Sequence, residues 1–315
     1  MPTKNITAIL ILGMHRSGTS ATAGTLYHLG VSLGPRLLPA DGCNERGYFE
    51  NHNILQLNHD LMSALGFSWD DPRELPHGWE SSAVVIPFRS KLREIIETDF
   101  SEQPLWGVKD PRICRLLPFW LPVLRESGSR VVALLALRHP LEVAKSLTAR
   151  SPEMEAEHAE LIWLRHNLEA ELHSRGLPRA SIDYASLLTN WRTEIIRIGE
   201  RLGIAWPRSL DDAGARIGEF LGEDLHHQSA TDQLRGASKK FQPWLIPLYH
   251  YLHDSDKPLV ESNIDEISRR LARPARISAS RCLARRHGLL HRAVRKLHGS
   301  ISQGAGSSTD GRQKA

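Results

Sequence analysis

The distribution of apolar and polar positions predicts four strands. Residues 6–12 form an apolar run rich in Ile and Leu, residues 129–137 form a second, and shorter strand-like segments occupy 105–109 and 180–184. A continuous apolar run is typical of a parallel strand that is covered on both faces. The pattern therefore predicts a parallel sheet built from these four segments.

Helical spacing of apolar residues fills most of the stretches between these strands. Asn51 is a candidate N-cap and Gly203 a candidate helix end. The segment 152–175 is read as an amphipathic helix whose Trp and His residues serve packing and the surface, and residues 30–47, rich in Gly and Pro, as a long surface loop. The predicted helices cover 21–29, 52–62, 83–100, a segment beginning at Pro140, 152–175, 187–202, 211–221 and 239–253.

Strands that alternate with helices in this way predict an α/β fold with a doubly wound parallel sheet. We expect one such domain over residues 1–268, followed by a C-terminal extension, 269–315, that is helical at first and disordered from Gly299. The 315-residue chain has a net charge of +4, yet residues 269–315 alone carry +11, which leaves −7 for the rest. The basic balance therefore belongs to the tail and is not a nucleic-acid signal for the main domain.

Two interpretations of the basic tail stay open: a solvated basic helix, or a peripheral contact with an acidic membrane surface or partner. No apolar run reaches the length of a transmembrane helix. Cys43, Cys114 and Cys282 lack the spacing of a zinc site or a disulfide framework. The start of the chain imitates a signal peptide, but cleavage after residue 23 would remove a glycine loop, so a cytoplasmic location is predicted.

This glycine loop lies between the first strand and the first helix and has the spacing of a phosphate-binding P-loop. Thr19 stands where nucleoside triphosphatases carry a Lys, and the positive charge is Arg16 instead. Hydrolysis of a nucleoside triphosphate is therefore disfavoured, and a different phosphorylated donor is indicated. An ordinary strand-to-helix turn is the alternative. The predicted anion-binding residues are Gly13, Arg16, Ser17, Gly18, Thr19 and Ser20.

Charged residues also follow two other predicted strands. Lys109, Asp110 and Arg112 come at the end of one, where open parallel sheets bind ligands; a surface ion pair in a Pro turn is the alternative. Arg138 ends the next strand, and Ser146 lies two turns into the helix that follows. An Arg and a hydroxyl placed in this way can hold a phosphate from two sides.

Taken together, these residues resemble the P-loop sulfotransferases that use 3′-phosphoadenosine-5′-phosphosulfate (PAPS), in their bacterial form. Residues 13–20 are similar to the family's 5′-phosphosulfate loop, with Arg in place of Lys, and residues 138–146 to its 3′-phosphate motif. The resemblance covers about residues 6–205. Residues 109–111 also resemble a tripeptide of the tyrosylprotein branch, whose Lys lies against the transferring sulfuryl group.

The resemblance implies PAPS as donor, adenosine 3′,5′-bisphosphate as product, and a hydroxyl or amine of a carbohydrate, lipid or other small molecule as acceptor. Arg16 and Lys109 can stabilise the charge that develops during transfer. Because no γ-phosphate has to be clamped, no metal is required. The tyrosylprotein and heparan-type branches carry a catalytic Glu in this region, and Glu45 and Glu50 are both candidates for the base.

Several alternatives remain at this stage. His15, His52 or His59 could act as the base instead of a Glu. A P-loop kinase would use Asp110 as the carboxylate on the Mg²⁺ side. A protein that binds the nucleotide without turnover would keep the phosphate site and lose the transfer.

Overall fold

The computed structural model describes residues 6–42, 44–222, 242–253 and residue 267. The predicted C-terminal extension, 269–315, lies outside the described residues, as do Cys43 and Cys282. No helix in the described ranges is long and apolar enough to cross a bilayer.

The four predicted strands are confirmed and form one parallel sheet. They are β1 (Thr7–Leu12), β2 (Leu105–Lys109), β3 (Arg130–Leu137) and β4 (Arg179–Asp183), in the order β2-β1-β3-β4. Ile11 pairs with Lys109 on one side and with Leu134 on the other. Since β1 lies between β2 and β3, the loop that follows β1 is flanked by the carboxyl ends of both neighbours.

Helices cover both faces of this sheet, as the doubly wound prediction requires. Asn51 caps α2 as predicted, because its side chain accepts hydrogen bonds from the amides of Asn53 and Ile54, and α7 ends at Gly203 in the left-handed conformation. A short 3-10 helix spans Trp79–Ser81. The helices are α1 (Thr19–His28), α2 (His52–Ala64), α3 (Ile86–Phe100), α4 (Ile113–Glu126), α5 (Pro140–Arg150), α6 (Ala156–Ser174), α7 (Tyr184–Leu202), α8 (Leu210–Phe220) and α9 (Gln242–His253).

Alternate residues of β1 enter two separate cores. Leu10 joins the core that contains α2, α3, α4, α5, α6 and α9, while Ile9 and Ile11 join the core that contains α1, α7 and α8. Successive side chains of a strand point to opposite faces. Burial on both faces explains why β1 is apolar from Ala8 to Leu12.

Helix α4 is an element that the sequence pattern did not predict. Pro118 and Pro122 lie inside it, and proline removes a backbone donor and is unfavourable in a helix interior. Leu116, Phe119 and Trp120 of this helix are completely buried. Packing against the core therefore outweighs the helix-breaking effect of the two prolines.

Helix α6 contradicts the amphipathic interpretation of residues 152–175. It begins at Ala156, and most of its residues are buried, the charged ones included. Arg115 of α4 donates a hydrogen bond of 3.1 Å to Glu169, and Arg179 pairs with Glu171 at 2.6 Å. An amphipathic helix would expose Glu169 and Glu171 to solvent, but both are buried here and paired with Arg side chains.

His166, at the centre of α6, makes the stability of the fold sensitive to acid. Burial lowers its pKa from 6.5 to about 3, so the unfolded chain binds a proton that the folded protein rejects. The contribution of this group is fully present above pH 6.5 and is lost as the pH falls below it, by up to about 1.4 kcal/mol per pH unit. Urea unfolding between pH 7 and pH 5 should show a shallower loss in His166→Leu than in the wild type. An exposed control, His52→Leu, should keep the wild-type slope, and equal slopes in all three proteins would contradict the assignment.

Gly24 of α1 permits a close aromatic contact. A Cβ atom at this position would lie 2.2 Å from Cζ of Phe220 and 2.9 Å from Cε2 of Phe49. The rings of Phe49 and Phe220 meet edge to face at 5.4 Å. The missing side chain thus allows α8 and the segment before α2 to pack directly on α1.

Candidate functional site

The glycine loop after β1 forms an open helix N-terminus. Gly18 is the N-cap of α1 at φ 86°, and it supplies no side-chain cap to the first amides of the helix. Gly13 has φ 148°, and a Cβ there would lie 2.5 Å from the carbonyl oxygen of Ala136. Uncapped amides at a helix N-terminus attract anions.

Arg16 adopts a left-handed backbone conformation, with φ 70°. A non-glycine residue in this conformation costs on the order of 1 kcal/mol, and such strain concentrates at functional sites. The Arg16 Nε donates a hydrogen bond of 2.9 Å to Oγ of Ser146, and Nη1 of Arg138 donates to the Arg16 carbonyl at 3.4 Å. The predicted loop and the predicted Arg–Ser pair are therefore in direct contact.

Arg138 is buried at the end of β3. Its Nε donates to Glu142 at 2.9 Å, and its guanidinium lies 4.8 Å from the ring centroid of Tyr184. Tyr184 also packs against Gly18, where a Cβ would come within 2.4 Å of the ring. Tyr184 directly follows β4. A position at the carboxyl end of a parallel strand is the sequence signal that could have identified it.

Arg150 of α5 adds an exposed positive charge near Arg16 that the sequence analysis did not consider. Burial of Arg16 is the largest cause of its lowered pKa. The charge of Arg150 is the next cause, and the charge of Arg138 follows. Arg150 lies four positions after Ser146 in α5, and residues at this spacing share one face of a helix. The helical spacing from Ser146 to Arg150 would have identified it.

Lys109, Glu50 and Ser20 meet on the other side of the loop. The Lys109 Nζ lies 2.5 Å from Oε1 of Glu50 and donates to Oγ of Ser20 at 3.2 Å. The side chains of Lys109 and Glu50 are 4% and 7% exposed. Glu45, in contrast, is exposed and has no hydrogen bond or ion pair within the described ranges. The structure thus places Glu50, and not Glu45, at Lys109.

Hydrogen bonds anchor the long loop before α2, and Glu50 at the end of this loop lies beside Lys109. Nη1 of Arg46 donates to the carbonyls of Glu219, at 3.2 Å, and Phe220 at the end of α8. Asn44 donates to the carbonyl of Gly47 at 2.7 Å. These contacts hold the last part of the loop against the end of α8, a few residues before Glu50.

Asp110 is fully engaged in hydrogen bonds. Its Oδ1 accepts from the backbone amide and from Nη1 of Arg112, both at 2.9 Å, and its Oδ2 accepts from Asn58 at 2.9 Å. The carboxylate is completely buried. Both oxygens serve the local structure, which disfavours a role for Asp110 as a metal ligand. The described residues contain no group of three or more His, Cys, Asp or Glu side chains placed to hold a metal.

His15 lies in the glycine loop next to Arg16. Its ring packs edge-on against Trp69, with centroids 4.6 Å apart, and its Nε2 is buried without a hydrogen-bond partner among the described residues. Burial, followed by the charge of Arg112, holds the pKa of His15 well below its usual value. Of the other two histidines considered as bases, His52 is exposed and His59 is half-buried on α2.

The environment of the Ser17 hydroxyl indicates whether the loop can bind an anion. Its hydroxyl is buried and has no hydrogen-bond partner in the part of the chain that the structure describes. A buried polar group without a partner is rare and calls for an explanation such as a missing ligand. Together with the uncapped N-terminus of α1 and the cation of Arg16, this hydroxyl fits a phosphate or phosphosulfate group.

Comparison with known proteins finds no matching family model and no matching curated protein. Similar solved structures include the sulfotransferase domain of the Synechococcus olefin synthase, at 18% identity and a TM-score of 0.41, with 87% of this chain and 98% of that chain covered. A sulfotransferase domain from the curacin biosynthetic pathway matches at 16% identity and 0.37, covering 85% and 98%. Retinol dehydratase in a complex with retinol and PAP matches at 14% and 0.37, covering 86% and 82%. Likeness at this level leaves the activity to be inferred from the residues of the site.

Proposed function

We propose that this protein is a PAPS-dependent sulfotransferase that transfers a sulfuryl group to a hydroxyl or amine of a carbohydrate, lipid or other small acceptor. The observation that carries the proposal is the contact of three predicted groups at one edge of the sheet. Arg16 of the glycine loop touches Ser146, Arg138 touches Arg16, and the Lys109–Glu50 pair reaches the same loop through Ser20. Such a set can bind two anionic groups and leave a carboxylate beside one of them.

The donor end of the site has a residue for each anionic group of PAPS. The loop amides, the Ser17 hydroxyl, Thr19 and Arg16 would hold the 5′-phosphosulfate, while Arg138 and Ser146 would hold the 3′-phosphate, with Arg150 as a further cation. Tyr184 would line the same region. When bound, PAPS supplies the sulfuryl group and a stable leaving group.

The chain's own residues supply positioning and charge. Arg16 and Lys109 are cations beside the loop, and cations placed before the reaction stabilise the charge that develops on the transferring group and the leaving group. Glu50 stands as a carboxylate opposite the Lys109 ammonium. A carboxylate in this position can accept the proton of the acceptor as transfer proceeds.

The proposal is tested by nucleotide affinity, which separates it from the kinase alternative. PAPS carries a 3′-phosphate, whereas a kinase donor does not. If PAPS is the donor, wild type should bind adenosine 3′,5′-bisphosphate at least about tenfold more tightly than adenosine 5′-monophosphate. Arg138→Ala should weaken binding of the bisphosphate by about 10- to 150-fold, the value of a charged hydrogen bond. Its affinity for the monophosphate should barely change, and both constants can be measured by titration calorimetry.

Lys145→Ala is the matched control, because Lys145 is an exposed cation on the same helix, one position before Ser146. It should bind both nucleotides like the wild type, and Ser146→Ala should show a milder form of the Arg138→Ala defect. A wild type without preference for the bisphosphate would overturn the 3′-phosphate site and put the kinase first. Tight bisphosphate binding without transfer to any acceptor would indicate a binding protein.

A further inference from the structure

Helix α9 brings Tyr249 to the carboxyl ends of two neighbouring strands, β3 and β4. The Tyr249 hydroxyl donates a hydrogen bond of 2.8 Å to Oδ1 of Asp183, the last residue of β4. Its ring meets the ring of His139, the second residue after β3, with centroids 5.4 Å apart. Leu137 and Asp183 are paired in the sheet. One side chain of α9 therefore contacts both strand ends.

The two residues that Tyr249 contacts are chain neighbours of residues in the candidate site. Arg138 directly precedes His139, and Tyr184 directly follows Asp183. The Arg138 guanidinium lies 4.8 Å from the centroid of the Tyr184 ring. Tyr249 thus holds the backbone on both sides of this stacked pair.

Asp183 links Tyr249 to the first turn of α7. While Oδ1 of Asp183 accepts from Tyr249, Oδ2 accepts from the amides of Ala185 and Ser186 at 3.0 and 3.2 Å and caps the helix. Tyr184 is the first residue of that helix. A carboxylate held from one side has fewer orientations available on the other. The hydroxyl of Tyr249 therefore restrains the capped turn that carries Tyr184.

The docking of α9 does not depend on the Tyr249 hydroxyl. Burial of three leucine side chains is worth more than one hydrogen bond to a half-buried group. The leucines of α9 that are buried in the core are Leu245, Leu248 and Leu252.

A second tyrosine of α9 makes an equivalent bond at the other end of the sheet. The Tyr251 hydroxyl donates to Glu171 at 2.9 Å, and Glu171 pairs with Arg179, the first residue of β4. Tyr249 and Tyr251 are both half-buried, and each binds a carboxylate. The difference is that the partner of Tyr249 adjoins the candidate site, whereas the partner of Tyr251 lies at the amino end of the strand.

We propose that Tyr249 is a positioning residue of the donor site, and that it fixes Arg138 through Tyr184 and through the end of β3. A side chain that is held before the ligand arrives loses less freedom on binding, so this restraint strengthens the grip on an anion. The inference rests on the proposed function for the identity of that anion, the 3′-phosphate. It extends the donor site to α9, beyond the segment 6–205 that carries the sequence resemblance.

The first experiment is calorimetric titration of the full-length protein with two nucleotides. Tyr249→Phe keeps the ring against His139 and removes only the hydrogen bond to Asp183. It should weaken binding of adenosine 3′,5′-bisphosphate by about 3- to 10-fold, less than Arg138→Ala, because the guanidinium remains. Binding of adenosine 5′-monophosphate, which has no 3′-phosphate, should stay within about twofold of the wild type. An equal loss for both nucleotides would overturn the proposal.

Tyr251→Phe is the matched control, since it removes the same hydroxyl from the same helix. It should bind both nucleotides within about twofold of the wild type. Equal weakening of bisphosphate binding in the two Phe variants would assign the effect to the attachment of α9 as a whole. That result would contradict the specific role of Tyr249.

A double variant tests whether Tyr249 acts through Arg138. Residues that act as one unit have non-additive effects. Arg138→Ala with Tyr249→Phe should therefore bind the bisphosphate as Arg138→Ala alone does. Losses that add fully would show that Tyr249 acts by another route and would overturn the inference.

NMR of the nucleotide-free protein separates this inference from the proposed function. The Arg138 Nε–H donates to Glu142 at 2.9 Å, and its signal is assigned by its loss in Arg138→Ala. Exchange of this proton with water should be faster in Tyr249→Phe and unchanged in Tyr251→Phe. If that result appears but wild type does not prefer the bisphosphate, the proposed 3′-phosphate site fails and the positioning role stands. If wild type prefers the bisphosphate but Tyr249→Phe matches it in exchange and affinity, the positioning role fails and the proposed function stands.

Discussion

Replacing Glu50 by Gln is expected to lower kcat for sulfuryl transfer by roughly 10² to 10⁴ while donor affinity stays nearly constant. Gln keeps the shape of the side chain and can accept a hydrogen bond from Lys109, but it cannot take up the proton of the acceptor. The measurement is steady-state kinetics with saturating PAPS, together with the affinity for adenosine 3′,5′-bisphosphate. A loss in kcat without a loss in nucleotide binding identifies a proton acceptor.

The matched control is Glu45→Gln. Glu45 lies five positions earlier in the same loop, but it is exposed and makes no ion pair within the described part of the chain. We expect its kcat to stay within about twofold of the wild type, since exposed surface substitutions have small effects. Should both Gln variants remain active, the base is another group, and His15 becomes the first to test.

The loss of Lys109's partner needs a separate check. Lys109 and Glu50 are both buried, and removing one charge of a buried pair can cost about 3–5 kcal/mol of stability. Thermal unfolding of Glu50→Gln with and without adenosine 3′,5′-bisphosphate shows whether the variant is folded under the assay conditions. The kinetic conclusion holds where nucleotide binding shows a folded site.

Replacing Arg16 by Ala is expected to lower kcat by roughly 10² to 10³, the scale for removing a donor aimed at charge in the transition state. The guanidinium is held by Ser146 at 2.9 Å, so it is positioned before the donor binds. Positioning of this kind avoids reorganisation during the reaction and makes the loss large. Near-normal turnover in Arg16→Ala would refute the assignment.

A matched pair of variants separates the charge of Arg16 from its backbone. Ala retains the strain of a positive φ, whereas Gly adopts φ 70° without penalty. The free energy of unfolding of Arg16→Gly should therefore be about 0.5–1 kcal/mol higher than that of Arg16→Ala. Both variants should show the same loss of kcat. If Arg16→Gly recovered activity, the loop conformation and not the guanidinium would be limiting.

The sequence predicted the sheet well because its strands are marked by strong local signals. Three of the four predicted segments are followed directly by a glycine or a charged residue, and the structure confirms all four segments within one residue at each end. Helix α4 was missed for the opposite reason: its prolines are local signals against a helix, and the burial that stabilises it comes from residues distant in the chain.

The wrong amphipathic prediction for α6 and the open choice between Glu45 and Glu50 as the base have a related physical cause. Glu169 and Glu171 look like surface residues, because the sequence does not show that Arg115 and Arg179 will meet them inside the protein. The choice between Glu45 and Glu50 depended on a loop whose path is fixed by Arg46, which contacts α8 more than 170 positions later. Long-range pairing of charges is invisible to local periodicity.

Gly24 has a consequence for recognising relatives of this chain. Glycine within a helix is about 1 kcal/mol less favourable than alanine, so a sequence keeps it there where the space is needed. The space at Gly24 is taken by Phe49 and Phe220, and Phe49 immediately precedes Glu50. A search pattern that adds Gly24 and the two aromatic positions to the glycines at 13 and 18 should select chains that set their carboxylate in the same way. Chains with the loop but a larger residue at position 24 would have to carry that carboxylate on a different path.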